Sequence, residues 1–154
     1  MRCRLHQERR NVLSEEKRIY VIVAETVQPE DAWRNAAGLR TLVSNVTQPA
    51  GRIAAQVGHV VSHMRVERAL EWGEGFDPIT TIVLAARNSA ELKNAVKWLA
   101  QANIDIQMFW DKNEQAYGVG KQQAPVHVMT AICTHPIDPA KTKGVIDHLP
   151  LWAA

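Results

Sequence analysis

Ile19-Tyr20-Val21-Ile22-Val23-Ala24-Glu25-Thr26-Val27 is the stretch that decides the fold class. Both alternating faces of this run are apolar and β-branched residues dominate it, the pattern of a central strand covered on each side. Such a strand needs a layer above and a layer below, and the flanking segments supply candidates. From Gly51 to about Leu70 the apolar residues recur with helical period. Residues 79–86 (ITTIVLAA) read as a second buried strand. A helix follows, with Asn88 and Glu91 spaced as a capping box and Leu92, Ala95, Val96 and Leu99 as its apolar stripe.

Further along, Ile104, Ile106, Met108 and Trp110 alternate with Asp105 and Gln107, which predicts a strand with one wetter face. Residues 112–124 form a polar loop containing Gly118 and Gly120, and residues 126–132 make a fourth strand. Asp138-Pro139 supplies an N-cap and first helical position for a last helix running through Val145, Ile146 and Leu149. Between the first strand and the first helix, Pro29-Glu30-Asp31 opens a short helix stopped by Gly38, while residues 39–47 fit neither period. The order strand, helix, strand, helix, strand, strand, helix implies an α/β fold. It is a mixed sheet of about four strands flanked by helices in three layers, α/β/α, with the last two strands placed to pair as a hairpin.

At 154 residues, 46% hydrophobic and 22% charged, the chain has the length and composition of one ordinary globular domain. Its two cysteines, Cys3 and Cys133, form no CxxC pair, so a reducing compartment is expected rather than a disulfide scaffold. The first ten residues are charged with no apolar run behind them, and nowhere does an apolar run approach the ~20 residues needed to span a bilayer. A cytoplasmic protein without membrane partners is the expectation. Net charge is +2 but uneven: residues 1–18 hold six basic and three acidic side chains, and the rest hold 12 basic and 13 acidic. A basic arm of this kind neutralises phosphates, or simply frays in solvent.

The helix Gly51-Arg52-Ile53-Ala54-Ala55-Gln56-Val57-Gly58-His59 carries the chemistry. At 100° per residue, Arg52, Gln56, His59 and His63 fall within about 60° of one another. Ile53, Val57, Val60, Val61 and Met64 make an apolar stripe about a quarter-turn or more away. Ala55, Gly58 and Ser62 form a third strip, small enough to admit a neighbouring backbone or a ligand. A polar stripe usually just meets water. This one lacks Glu and Lys, and its guanidinium, amide and two imidazoles suit a polar or anionic ligand. The i, i+4 pair His59/His63 could ligate a metal, but a zinc site needs a third protein ligand that nothing places there; His127 and His135 are the spare imidazoles. HVVSH also lacks the Glu of HExxH, so no metal is expected.

GRIAAQVGH resembles the helix-opening signature of type II peptidyl-tRNA hydrolases, Gly-Lys-Ile/Val-Ala-Ala-Gln with a His after two further residues. The likeness continues through the strand at residues 19–27, Trp72-Gly73 before the second strand, a helix, a strand ending in Asp111, an apolar strand at 128–132, and the terminal His148-Leu149-Pro150-Leu151. It spans roughly residues 18–152, preceded by a basic arm at 1–17 and carrying an insertion at about 28–50.

The resemblance implies a four-stranded sheet flanked by helices, often a homodimer. It implies hydrolysis of the ester joining a peptide to the 3′ ribose of tRNA, with no cofactor. It also implies that Arg52, in place of the family's Lys, and Asp111 are catalytic. His59 joins them as a candidate base, since imidazole titrates in the physiological range. Gly51, Gln56, His63 and Gln115 are the candidate substrate-binding residues. The chain departs from the family in the loop after Asp111: Lys112 and Asn113 stand where Ala and Gly belong, and Gln115 where Thr belongs. Arg52 keeps the cation but not a transferable proton. The alternative is therefore a family member without catalysis that binds RNA or a protein. Trp98, off its helix's core stripe beside Lys93 and Lys97, is either an interface or a ring lying on its own domain.

Overall fold

The computed structural model describes residues 17–27, 46–67, 79–112 and 127–153. The short helix after Pro29, the polar loop from 113 on, the basic arm up to residue 16 and most of the insertion lie outside them. Strand β1 (Arg18–Val27) is followed by the two-residue β2 (Val46–Thr47), helix α1 (Ala50–Glu67), β3 (Thr80–Asn88), α2 (Ser89–Gln101), β4 (Ile106–Lys112) and β5 (His127–Thr134). β1 pairs parallel with β3 and antiparallel with β5, and β5 pairs antiparallel with β4, giving a mixed sheet. β2 adds only Thr47 and Val46 opposite Thr26 and Val27. The expected hairpin partnership of the last two strands is present.

β1 organises two cores. Ile19, Val21 and Val23 join Ile53, Val60 and Met64 of α1 and Ala131 and Cys133 of β5 in one cluster. Tyr20, Ile22 and Ala24 join Leu92, Ala95 and Leu99 of α2 in the other. Because successive side chains of a strand point to opposite faces, one helix covers each face of the sheet. Ile19, Ile22, Leu92, Leu99 and Met64 are all fully buried. Burying each such side chain contributes about 1.5–3 kcal/mol. Where α2 starts, Asn88 Oδ1 accepts from the Glu91 backbone N–H at 2.9 Å, the predicted cap.

The last expected helix is shorter than its sequence suggests. Asp138 caps it, accepting from the Ala140 N–H at 2.9 Å, but it is a single 3-10 turn, Pro139–Thr142. Lys143 is already extended (ψ 124°) and Gly144 sits at φ 73°, which ends the helix while Ile146 and Leu149 still reach the α2-side core. Beyond them the chain runs along β3, with Ala85 N–H donating to Pro150 O at 2.8 Å and Trp152 N–H to Val83 O at 2.9 Å. Trp98 packs partly buried against the core, its ring edge-on to His148 at 4.8 Å, so it lies on its own domain. Among the described residues no helix is long and apolar enough to cross a membrane.

Leu99→Ala should lower unfolding free energy by about 2–5 kcal/mol in urea titration, and Asn88→Ala by about 1 kcal/mol. Cys133 is buried, and desolvation pushes its thiol up to about 12, against a smaller opposing pull from Arg65. With Cys3 replaced by Ser, native protein at pH 8 should therefore resist alkylation and react only once unfolded. The raised folded value also means that this thiol's contribution to stability is complete below about pH 9 and is lost as pH climbs toward 12.

Candidate functional site

Helix α1 begins directly after Pro49, whose carbonyl accepts from Arg52 N–H at 3.0 Å and Ile53 N–H at 3.1 Å. Its own first turn carries no acidic side chain, so the helix itself supplies no carboxylate to offset its positive end. The apolar stripe of Ile53, Val60 and Met64 holds α1 against β1 and β5. With that face pinned, the adjoining polar stripe overhangs β4.

On β4 the odd-numbered side chains face α1. Phe109 packs into the α1-side cluster, and Asp111, two residues on, points to the same side because a strand repeats every two residues. The pairing jumps from Phe109–Ala131 to Trp110–Met129, so the extra residue of this bulge, Thr130, lies in β5 and the alternation of β4 is unbroken.

Arg52, Ala55, Gln56 and His59 from the helix, Phe109 and Asp111 from the strand and Pro49 at the helix start line one open cavity of about 440 Å³. That volume falls within the usual range for small-ligand sites, about 300–1,000 Å³. Two residues distant in sequence, Arg52 and Asp111, thus share a pocket, and both are half-buried and engaged in interactions.

The other sequence candidates divide. His59 is exposed and stacks flat on Phe109, ring centroids 5.4 Å apart and 12° from parallel. His63 is also exposed and meets the same ring edge-on at 6.0 Å; it is not among the described residues lining the cavity. Gly51 is exposed in the first helical turn, again off the described lining. Gln115 lies outside the described residues. His135 sits beside Asp105, Nδ1 to Oδ2 3.8 Å. Among the described residues no group of three His, Cys, Asp or Glu side chains is placed to hold a metal.

Gln56 departs most from a solvated stripe. It is only 2% exposed. It stands about 40° from Val60 around the helix, at the edge of the stripe nearest the core. Its Nε2 donates to Gln48 Oε1 at 2.6 Å, and Gln48 Nε2 donates to the backbone oxygen of Ala24. The small strip behaves differently from its reading. Gly58 is exposed and a Cβ there would meet nothing within 4 Å, so no backbone of the described chain approaches it.

Sequence reasoning missed Phe109 and Gln48. Phe109 had a signal, since it shares the parity of Asp111 on one strand. Gln48 had none, because it lies between the segment of neither period, which ends at Thr47, and the helix read from Gly51. In proton NMR the His59 ring resonances should be shifted upfield by the Phe109 ring, and Phe109→Leu should return them toward ordinary positions.

No protein-family model matches the chain, and no curated protein does. Among solved structures it is similar to a protein of unknown function, Atu0240, from Agrobacterium tumefaciens strain C58. The TM-score is 0.52 and the identity 11%, over 90% of this chain and 98% of that one. At that identity the likeness concerns the fold alone.

Proposed function

We infer that the chain hydrolyses the ester between a peptide and the 3′ ribose of tRNA. The observation that carries this reading is the shared cavity of Arg52 and Asp111, with Gln56 and His59 beside them. These are the residues that the resemblance to type II peptidyl-tRNA hydrolases singles out.

The chemistry needs three things. A water must be oriented toward the ester carbonyl, negative charge on the tetrahedral intermediate must be met by a donor, and the departing ribose oxygen must regain a proton. Asp111 is assigned to the water. Arg52 is assigned to the oxyanion or the 3′-terminal phosphate; its planar guanidinium suits either. The start of α1, with no acidic residue in its own first turn, adds positive potential on the same side. His59 takes up the proton that the attacking water loses and passes it to the departing ribose oxygen. The flat His59–Phe109 pair offers a surface on which a nucleobase stacks.

Release of N-acetylphenylalanine from N-acetylphenylalanyl-tRNA should fall by on the order of a hundredfold or more in Asp111→Ala, as expected on losing a catalytic acid–base group. Arg52→Ala should lose a similar factor, and Arg52→Lys should recover part of it. Equal rates in wild type and both alanine variants would remove the hydrolase reading. The replacement of Ala-Gly by Lys112-Asn113 after Asp111 favours a second outcome, salt-sensitive tRNA binding without turnover, which would make the chain a binding module.

A further inference from the structure

Gln56 Oε1 is buried and has no hydrogen-bond partner among the described residues, although Gln56 lines the cavity. An unmet buried acceptor costs about 1–3 kcal/mol, so its retention calls for an explanation. Rotating the amide by half a turn would exchange its oxygen and nitrogen, and such ends are ordinarily interchangeable. Here the neighbours forbid it. The Ala24 backbone oxygen can only accept, so Gln48 must turn Nε2 toward it. Gln48 Oε1 then faces Gln56 and can only accept in turn, so Gln56 must present Nε2 to it. The polarity of the pocket amide is thereby set two residues away, at a carbonyl of β1. Gln48 is itself buried, 5% exposed, and its backbone N–H is tied to Glu25 O at 2.8 Å, so Gln48 is held to β1 through both its backbone and its side chain.

We propose that Gln48 is a positioning residue that holds Gln56 Oε1 as the pocket's fixed acceptor, for an N–H or O–H donor lying next to the substrate's ester. The proposal rests on the hydrolase reading and deepens it. A peptidyl ester of ribose carries two such donors, the vicinal ribose hydroxyl and the amide N–H of the acylated residue. A fixed acceptor takes either and repels a carbonyl or ether oxygen in the same place. Selectivity of this kind comes from leaving a buried polar group unpaired when the donor is missing.

The test compares three substrates: N-acetylphenylalanyl-tRNA, the same ester on tRNA ending in 2′-deoxyadenosine, and the O-acetylphenyllactyl ester, which lacks the N–H. Wild type should lose on the order of tenfold in kcat/KM on one of the two donor-deleted substrates, and which one identifies the donor. Gln56→Met and Gln48→Met should cost a similar factor on the intact substrate and nothing further on the one already lacking the donor. Equal slowing of all three substrates by the variants would overturn the proposal, since a merely structural amide would act without discrimination.

A second readout does not depend on turnover. In 15N-labelled wild type the Gln56 side-chain amide protons should exchange slowly, and Gln48→Met should release them; fast exchange in wild type would overturn the relay. Should Gln48→Met fail to fold, Gln56→Met carries the same substrate comparison. Absence of wild-type turnover on every substrate would remove the hydrolase reading and the donor assignment with it, while leaving the relay to be judged by exchange.

Discussion

Covering β1 on both faces at once is the constraint from which the rest of this molecule follows. Ile19, Val21 and Val23 are covered on the α1 side and Tyr20, Ile22 and Ala24 on the α2 side, because the chain's pleat sends successive residues to opposite faces. Each core depends on the same strand being held flat between the parallel partner β3 and the antiparallel partner β5. A change that shifted β1 by one residue would exchange its two sets of side chains, so the register is held from both sides.

That arrangement also places the cavity. α1 is seated by Ile53, Val60 and Met64, and a helix seated by one stripe has no freedom left over where the next stripe points. The polar stripe therefore lies over β4, whose own two-residue repeat brings Phe109 and Asp111 up to meet it. Two periodicities, 3.6 and 2, crossing at a fixed angle are enough to gather side chains from two segments far apart in the chain. The aromatic ring of Phe109 serves both sides of this meeting. It belongs to the core beneath the helix, and it is the platform on which His59 lies.

The polar contacts at the helix start obey a stricter rule than the apolar ones. A hydrophobic contact tolerates small rotations, whereas an amide buried beside another amide has only one satisfactory orientation once a neighbour is fixed. The Ala24 oxygen fixes Gln48, and Gln48 fixes Gln56. The same strand that builds both cores thus also determines which end of a pocket amide accepts.

How much of this was legible beforehand depends on the range over which the deciding forces act. The sequence by itself determined the four long strands, the two long helices and their order, because apolar period and local capping are read within a few residues: β1, α1, α2 and the Asn88 cap follow from neighbours alone, whereas the two-residue β2 does not. It also determined that Arg52, Gln56 and His59 share one face of a helix. Only the tertiary structure decided that Asp111 joins Arg52, that Phe109 lies under His59, and that Gln56 is buried and bonded to Gln48 rather than solvated. The final helix shows the same division at short range: its cap was legible in Asp138-Pro139, yet its length was set by how Lys143 and Gly144 turn so that Ile146 and Leu149 reach the core. Pairings across the sheet depend on which faces must be buried against which, and no local pattern of residues encodes that choice.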